Sequence, residues 1–179
     1  TSYTDTAGNT GTAATTANYA IDTKEPTVSS FTMSDTSLIV GETSTVTLVF
    51  SEAVASFSNA DITVQNGSLS TMSSSDNITW TGTFTPTDDI EDSTNVLTLA
   101  TSYTDTAGNT GAGATTANYA IDTKEPTVSS FTMSDTALIV GETATVTLVF
   151  SEAVANFSSS ADITVQNGSL STMSSSDNI

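Results

Sequence analysis

The sequence predicts an all-β fold, a two-layer sandwich repeated in tandem, on three observations. Apolar and polar residues alternate with a period of two over short runs. Turn-forming residues separate those runs, and the whole pattern returns after 100 residues. No stretch shows the 3.6-residue spacing of an amphipathic helix.

The alternation places the elements. In NITWTGTFTPT, Ile78, Trp80 and Phe84 fall on one face and Thr79, Thr81, Thr83 and Thr85 on the other. In TSTVTLVF, Val46, Leu48 and Phe50 point inward against Thr45 and Thr47. Ile62 with Val64, Leu97 with Leu99, and Tyr119 with Ile121 extend the same core, and Trp80 reads as a core residue rather than a ligand-binding one. Asn66-Gly67 and Gly108-Asn109 mark turns. The predicted strands are A (27–34), B (43–51), C (61–65), D (68–72), E (77–86), F (95–104) and G (116–122). Seven short strands in about 100 residues is the pattern of an immunoglobulin-like Greek-key β-sandwich.

Repetition sets the domain boundaries. Residues 1–58 match 101–158 except at 12, 13, 37, 44 and 56, and residues 60–78 match 161–179 without a difference. Solenoid units are only about 20–45 residues long, so a period of this size is a duplicated domain. IDTKEPT, at 21–27 and 121–127, reads as the linker. Its proline stiffens the chain and holds the preceding glutamate extended. Residues 23–122 are therefore one complete repeat. Residues 1–22 are the end of a preceding repeat, 123–179 the front of a following one, and targeting signals are expected elsewhere in a longer polypeptide.

Charge narrows the partners. Twenty Asp and Glu face only Lys24 and Lys124, for a net charge of −18. Nucleic acid and anionic membrane would be repelled, and no apolar run is long enough for a helical span. With no Cys and no His, the chain offers a metal only hard oxygen ligands.

Topology gathers those oxygens. If strand A runs down and successive strands alternate, strand B ends at the top, C starts there, and the F–G loop lies there. Glu52, Asp61 and the loop from Asp105 to Asn109 then converge where Asp22, Thr23 and Glu25 enter. Carboxylates crowded without Lys or Arg repel one another, and a divalent cation relieves this. Calcium, which takes six to eight oxygens, is the expected ion; a solvated acidic rim is the alternative. One period on, the corresponding residues are Asp122, Glu125, Glu152 and Asp162. A second acidic group, Asp88, Asp89, Glu91 and Asp92, is expected in the E–F loop at the opposite end, as a weaker candidate site.

FSEAV, DITVQNGSLS, TPTDDIED, YTDTAGNTG and IDTKEPT together resemble the bacterial Ig-like repeats of giant secreted adhesins. These include biofilm-associated proteins and the extender region of calcium-dependent ice-binding adhesins of the RTX type. The resemblance implies type I secretion, folding outside the cell where calcium is met, and display at the cell surface. It also implies interdomain calcium ligands at Asp22, Glu52 and Asp105, with Asp122 and Glu152 in the next copy.

The expected function is a structural spacer that projects distal binding domains, its partners being neighbouring repeats of the same chain. A strand of ten residues spans roughly 30 Å, so reach grows by adding copies. A glycan-binding or cell-surface-binding module is the alternative, which an exposed aromatic platform would favour; a surface-layer or filament subunit is another. Paired carboxylates alone would suit a glycosidase, but nothing else points to an enzyme or a small-molecule substrate.

Overall fold

The computed structural model describes residues 3–179. In the complete repeat the strands are β1 (Val28–Met33), β2 (Ser37–Ile39), β3 (Ser44–Phe50), β4 (Ile62–Thr63), β5 (Gly67–Leu69) and β6 (Thr79–Pro86). They continue with β7 (Glu91–Asn95), β8 (Thr98–Leu99), β9 (Ala114–Thr115) and β10 (Tyr119–Asp122). One sheet has the order β1-β3-β6-β5. The opposite layer is made of β2-β10-β7 and β4-β8-β9, which continue one another because β7 runs into β8 and β9 into β10. This is the A-B-E-D against C-F-G arrangement of an immunoglobulin-like sandwich.

The core lies between the layers. Val46, Leu48, Phe50, Phe84, Leu97, Leu99, Tyr119 and Ile121 are at most 2% exposed. Each such side chain contributes about 1.5–3 kcal/mol by leaving water. Within β3 the inward positions are Ser44, Val46, Leu48 and Phe50, all buried, and the intervening threonines face out, as the period of two predicts. Trp80 is half-buried and packs edge-on against Phe57, with ring centroids 4.9 Å apart, and so presents no open platform.

Three departures from the predicted strands stand out, two of them with local causes. The first is β2, a short strand that runs parallel to β10, with Leu38 beside Ile121. A kink after β1 creates it: buried Ser44 donates its hydroxyl to the Asp35 carbonyl and accepts from the Asp35 N–H, both at 2.9 Å. Second, the acidic stretch expected as loop is partly strand, because Glu91 and Asp92 in β7 pair with Asp122 and Ile121. Only Asp88 and Asp89 remain in the turn, where Asp89 takes a positive φ of 59°. Third, strand F stops at Leu99, short of the predicted 104.

The following repeat reproduces the first hairpin. Strand β11 (Val128–Met133) pairs with β12 (Val146–Phe150) in the same register as β1 with β3, including the irregularity at Val128 to Ser130. Phe131 is nonetheless 55% exposed where Phe31 is 6%. The 179 residues contain no counterparts of β6 to β10 in this copy, so nothing closes its sandwich. A single turn, α1 (Ser159–Asp162), completes the secondary structure among the described residues.

Candidate metal centre

Three segments meet at the top of the complete repeat. At the end of β3, Ser51 donates its N–H to the Thr27 carbonyl at 2.8 Å and accepts from the Thr27 N–H through its hydroxyl at 3.0 Å. That lock fixes Glu52 beside the incoming linker. Pro26 is fully buried, and its carbonyl accepts the Ala112 N–H at 3.2 Å. Tyr103 braces the third segment: its buried ring lies 4.8 Å from Phe50, and its hydroxyl donates to the Ala112 carbonyl at 2.7 Å.

The loop that follows folds around one carboxylate. Asp105 Oδ1 accepts the N–H groups of Ala107 at 2.8 Å and Asn109 at 2.9 Å, and Oδ2 accepts the Asn109 side-chain amide at 2.8 Å. These bonds, the Asn109 amide above all, hold the Asp105 carboxyl below the ordinary aspartate value. Gly108 turns the chain at φ 95°, a conformation that glycine adopts without strain. The same loop forms at Asp5–Asn9, where Asp5 accepts from Ala7 and Asn9 in the same way. Its geometry is local, since every one of these bonds spans four residues or fewer.

Asp22, Glu52 and Asp105 come together. One carboxylate oxygen from each lies within 4.8 Å of the others, with Asp22 exposed, Glu52 half-buried and Asp105 buried. Among the described residues this is the one such acidic group. Asp22 belongs to the linker and the other two to the domain that the linker enters. The linker backbone touches the loop as well, since the Asn109 amide donates to the Asp22 carbonyl at 3.3 Å.

The crowding differs from the expectation in one respect, because a cation is close by. Lys24 Nζ lies 3.8 Å from Glu52 Oε1, although the lysine is 74% exposed. At that distance the pair is a loose surface contact, of the kind that contributes about 0–1 kcal/mol. Glu52 Oε1 is itself buried and accepts no hydrogen bond. A buried carboxylate oxygen without a donor is costly, and a ligated cation is one way to satisfy it. Three carboxylates against one ammonium leave two net negative charges, which a divalent ion balances. Oxygen-only donors of this kind suit calcium, and its tolerance of irregular geometry suits a site shared between a loop and a linker.

The remaining candidates are not among the three converging carboxylates. Asp61 is buried but not in the group. It closes a 3-10 turn, Asn59–Asp61, by accepting the Ser58 N–H on Oδ2 at 2.8 Å, and it takes the Ser102 hydroxyl on Oδ1. Asn109 turns its amide nitrogen toward the carboxylates, so it orients Asp105 rather than adding an oxygen. Thr23 and Glu25 are exposed on the linker. At the second junction Asp122 and Glu125 are exposed and Glu152 is half-buried, while Asp162 accepts the Ser158 N–H in the manner of Asp61. These four form no group, and the 179 residues hold no counterpart of Asp105 for that junction.

The acidic residues at the opposite end are engaged individually. Asp92 accepts the Asn66 amide at 2.9 Å and the Thr94 N–H at 2.8 Å, and Glu91 pairs with Lys124 at 3.6 Å. With Asp88 and Asp89 exposed in the turn, the four do not converge on a common point. What sequence reasoning missed there is Thr123. It is buried against the β6–β7 turn, although its counterpart Thr23 lies exposed in an otherwise identical linker. No signal in the heptapeptide distinguishes the two.

A family model described as a bacterial Ig-like domain matches residues 22–121 and again 122–179. No curated protein and no solved structure matches the chain.

Proposed function

The chain belongs to the bacterial Ig-like domain family, present here in tandem, and from that premise we propose that it is a calcium-rigidified spacer of a large surface adhesin. The observation that supports this reading is the meeting of Asp22, from the linker, with Glu52 and Asp105, from the next domain. Asp105 is held ionised and aimed by its own loop, Glu52 offers a buried oxygen without a donor, and Asp22 brings the linker to both. When bound, calcium supplies two positive charges and the coordination positions for these oxygens. Ligation by all three residues joins the linker to the domain it enters, so successive repeats extend instead of swivelling. Polar contacts alone would leave domain motion as the default.

Display outside the cell, export by a type I route and neighbouring repeats as the partners belong to the same reading. The acidity fits it: with 20 acids and 2 lysines, copies repel one another and anionic surfaces alike. Among the described residues no helix is long and apolar enough to cross a membrane.

Thermal melts test the proposal. A site with a dissociation constant near 10⁻⁴ M stabilises the fold by roughly 2.7 kcal/mol at about 10 mM calcium. The melting temperature should rise accordingly in calcium over EDTA, and magnesium at the same concentration should protect less, since it demands a tighter octahedral site. Identical melts in calcium and EDTA would rule out the ion.

A further inference from the structure

We propose that the linker is fastened to the domain it leaves by a hydroxyl clamp at Thr123 that needs no ion. Bending at a junction is then confined to the three residues from Lys124 to Pro126. The clamp contains no metal ligand, so the inference stands or falls separately from the calcium reading.

Thr123 follows β10 directly and is 3% exposed. Its N–H donates to the Ile90 carbonyl at 2.7 Å. Its hydroxyl donates to the Thr87 carbonyl at 2.7 Å, lies 3.3 Å from the Ile90 carbonyl, and accepts the Ile90 N–H at 3.0 Å. One side chain thus satisfies both ends of the β6–β7 turn. That turn is anchored in its own right, because Thr87 donates its N–H to the Asn66 carbonyl at 2.9 Å. Upstream, Asp122 is held between β2 and β7. Downstream, the next fixed point is Thr127, whose N–H donates to the Ser151 hydroxyl at 2.8 Å and whose carbonyl accepts the Ser151 N–H at 2.8 Å. Between the two, Lys124, Glu125 and Pro126 are exposed, and only the loose Lys124–Glu91 ion pair ties them.

The chain carries its own control. Thr23 occupies the same place in an identical IDTKEPT segment, but the 179 residues include no β6–β7 turn before it, and it is exposed and unclamped. A single threonine in the same sequence context is therefore buried or exposed according to whether the preceding domain is there to receive it. This explains Thr23 without making it a ligand: its role in an array is on the other side of the junction.

The only two lysines, Lys24 and Lys124, are also the only trypsin sites, one in each linker with identical flanks. Cleavage needs local opening of the chain. In EDTA, Thr123→Val should speed cutting at Lys124 about five- to tenfold over the wild type, the factor a buried hydrogen-bonded hydroxyl implies. The rate at Lys24 should not change in that variant, Thr123→Ser should be cut at Lys124 as slowly as the wild type, and calcium should leave the Thr123→Val effect in place. The folded state of each variant is followed through Trp80, the single tryptophan. Should the valine variant fail to fold, hydrogen exchange of the wild type in EDTA decides: the Ile90 and Thr123 amides should be protected as strongly as those of β10. A Thr123→Val variant that behaves as wild type, or unprotected amides at Ile90 and Thr123, would each overturn the clamp.

Discussion

Asp105 receives three hydrogen bonds from its own loop, so it is ionised and aimed before any neighbour contributes. Its folded pKa lies below the ordinary value of 3.8, and this fixes the direction of its pH effect. Its contribution to stability is complete above that ordinary value and is lost as pH falls through the lower folded one. In EDTA, acid titration of the wild type should therefore lose stability below about pH 4. Asp105→Asn, which keeps an acceptor for the backbone N–H groups but carries no charge, should lack that part of the acid limb. Superimposable acid limbs would contradict it. This residue was legible in the sequence, because DTAGN makes its turn from bonds within the pentapeptide. Asp61 was not legible in the same way. Topology put it at the correct end, but Ser58 and Ser102 take up its oxygens, and competition from short-range hydrogen bonds leaves no periodic trace.

At the scale of elements, the strands with strict alternation were readable, and those made by pairing alone were not. β3 and β6 carry apolar residues at every second position and lie where the pattern put them. β7 reads EDSTN and looks like a turn; it is a strand because β10 offers it an edge to pair with. β2 is short and depends on the Ser44 kink. The segment that carries the candidate site depends on a different contact, between Tyr103 and Gly111. A Cβ placed on Gly111 would lie 2.1 Å from the Tyr103 ring, which is itself fully buried and cannot move aside. Gly111→Ala should therefore cost about 1–3 kcal/mol by overpacking. It should also weaken any ion binding that depends on the loop above it. By comparison, Gly108 has nothing within 4 Å, and an alanine there meets only the cost of a positive φ, about 1 kcal/mol. Urea denaturation of the two variants would rank them, and an equal or reversed order would contradict the Tyr103 brace.

For the whole molecule, the two linkers each show one hold, and the two holds work by different means. On the leaving side Thr123 and β10 hold the second linker through hydrogen bonds. On the entering side Pro26 is buried and Asp22 reaches Glu52 and Asp105. The central claim is that an ion at this second point turns a hinged chain of sandwiches into a rod. Small-angle X-ray scattering of two complete repeats joined by IDTKEPT, measured in calcium and in EDTA, tests it most directly. The account predicts a longer maximum dimension with a narrower spread in calcium, and loss of that difference in Asp122→Ala while both sandwiches stay folded. The same dimension and spread in the two conditions, or an Asp122→Ala protein that extends as the wild type does, would contradict it.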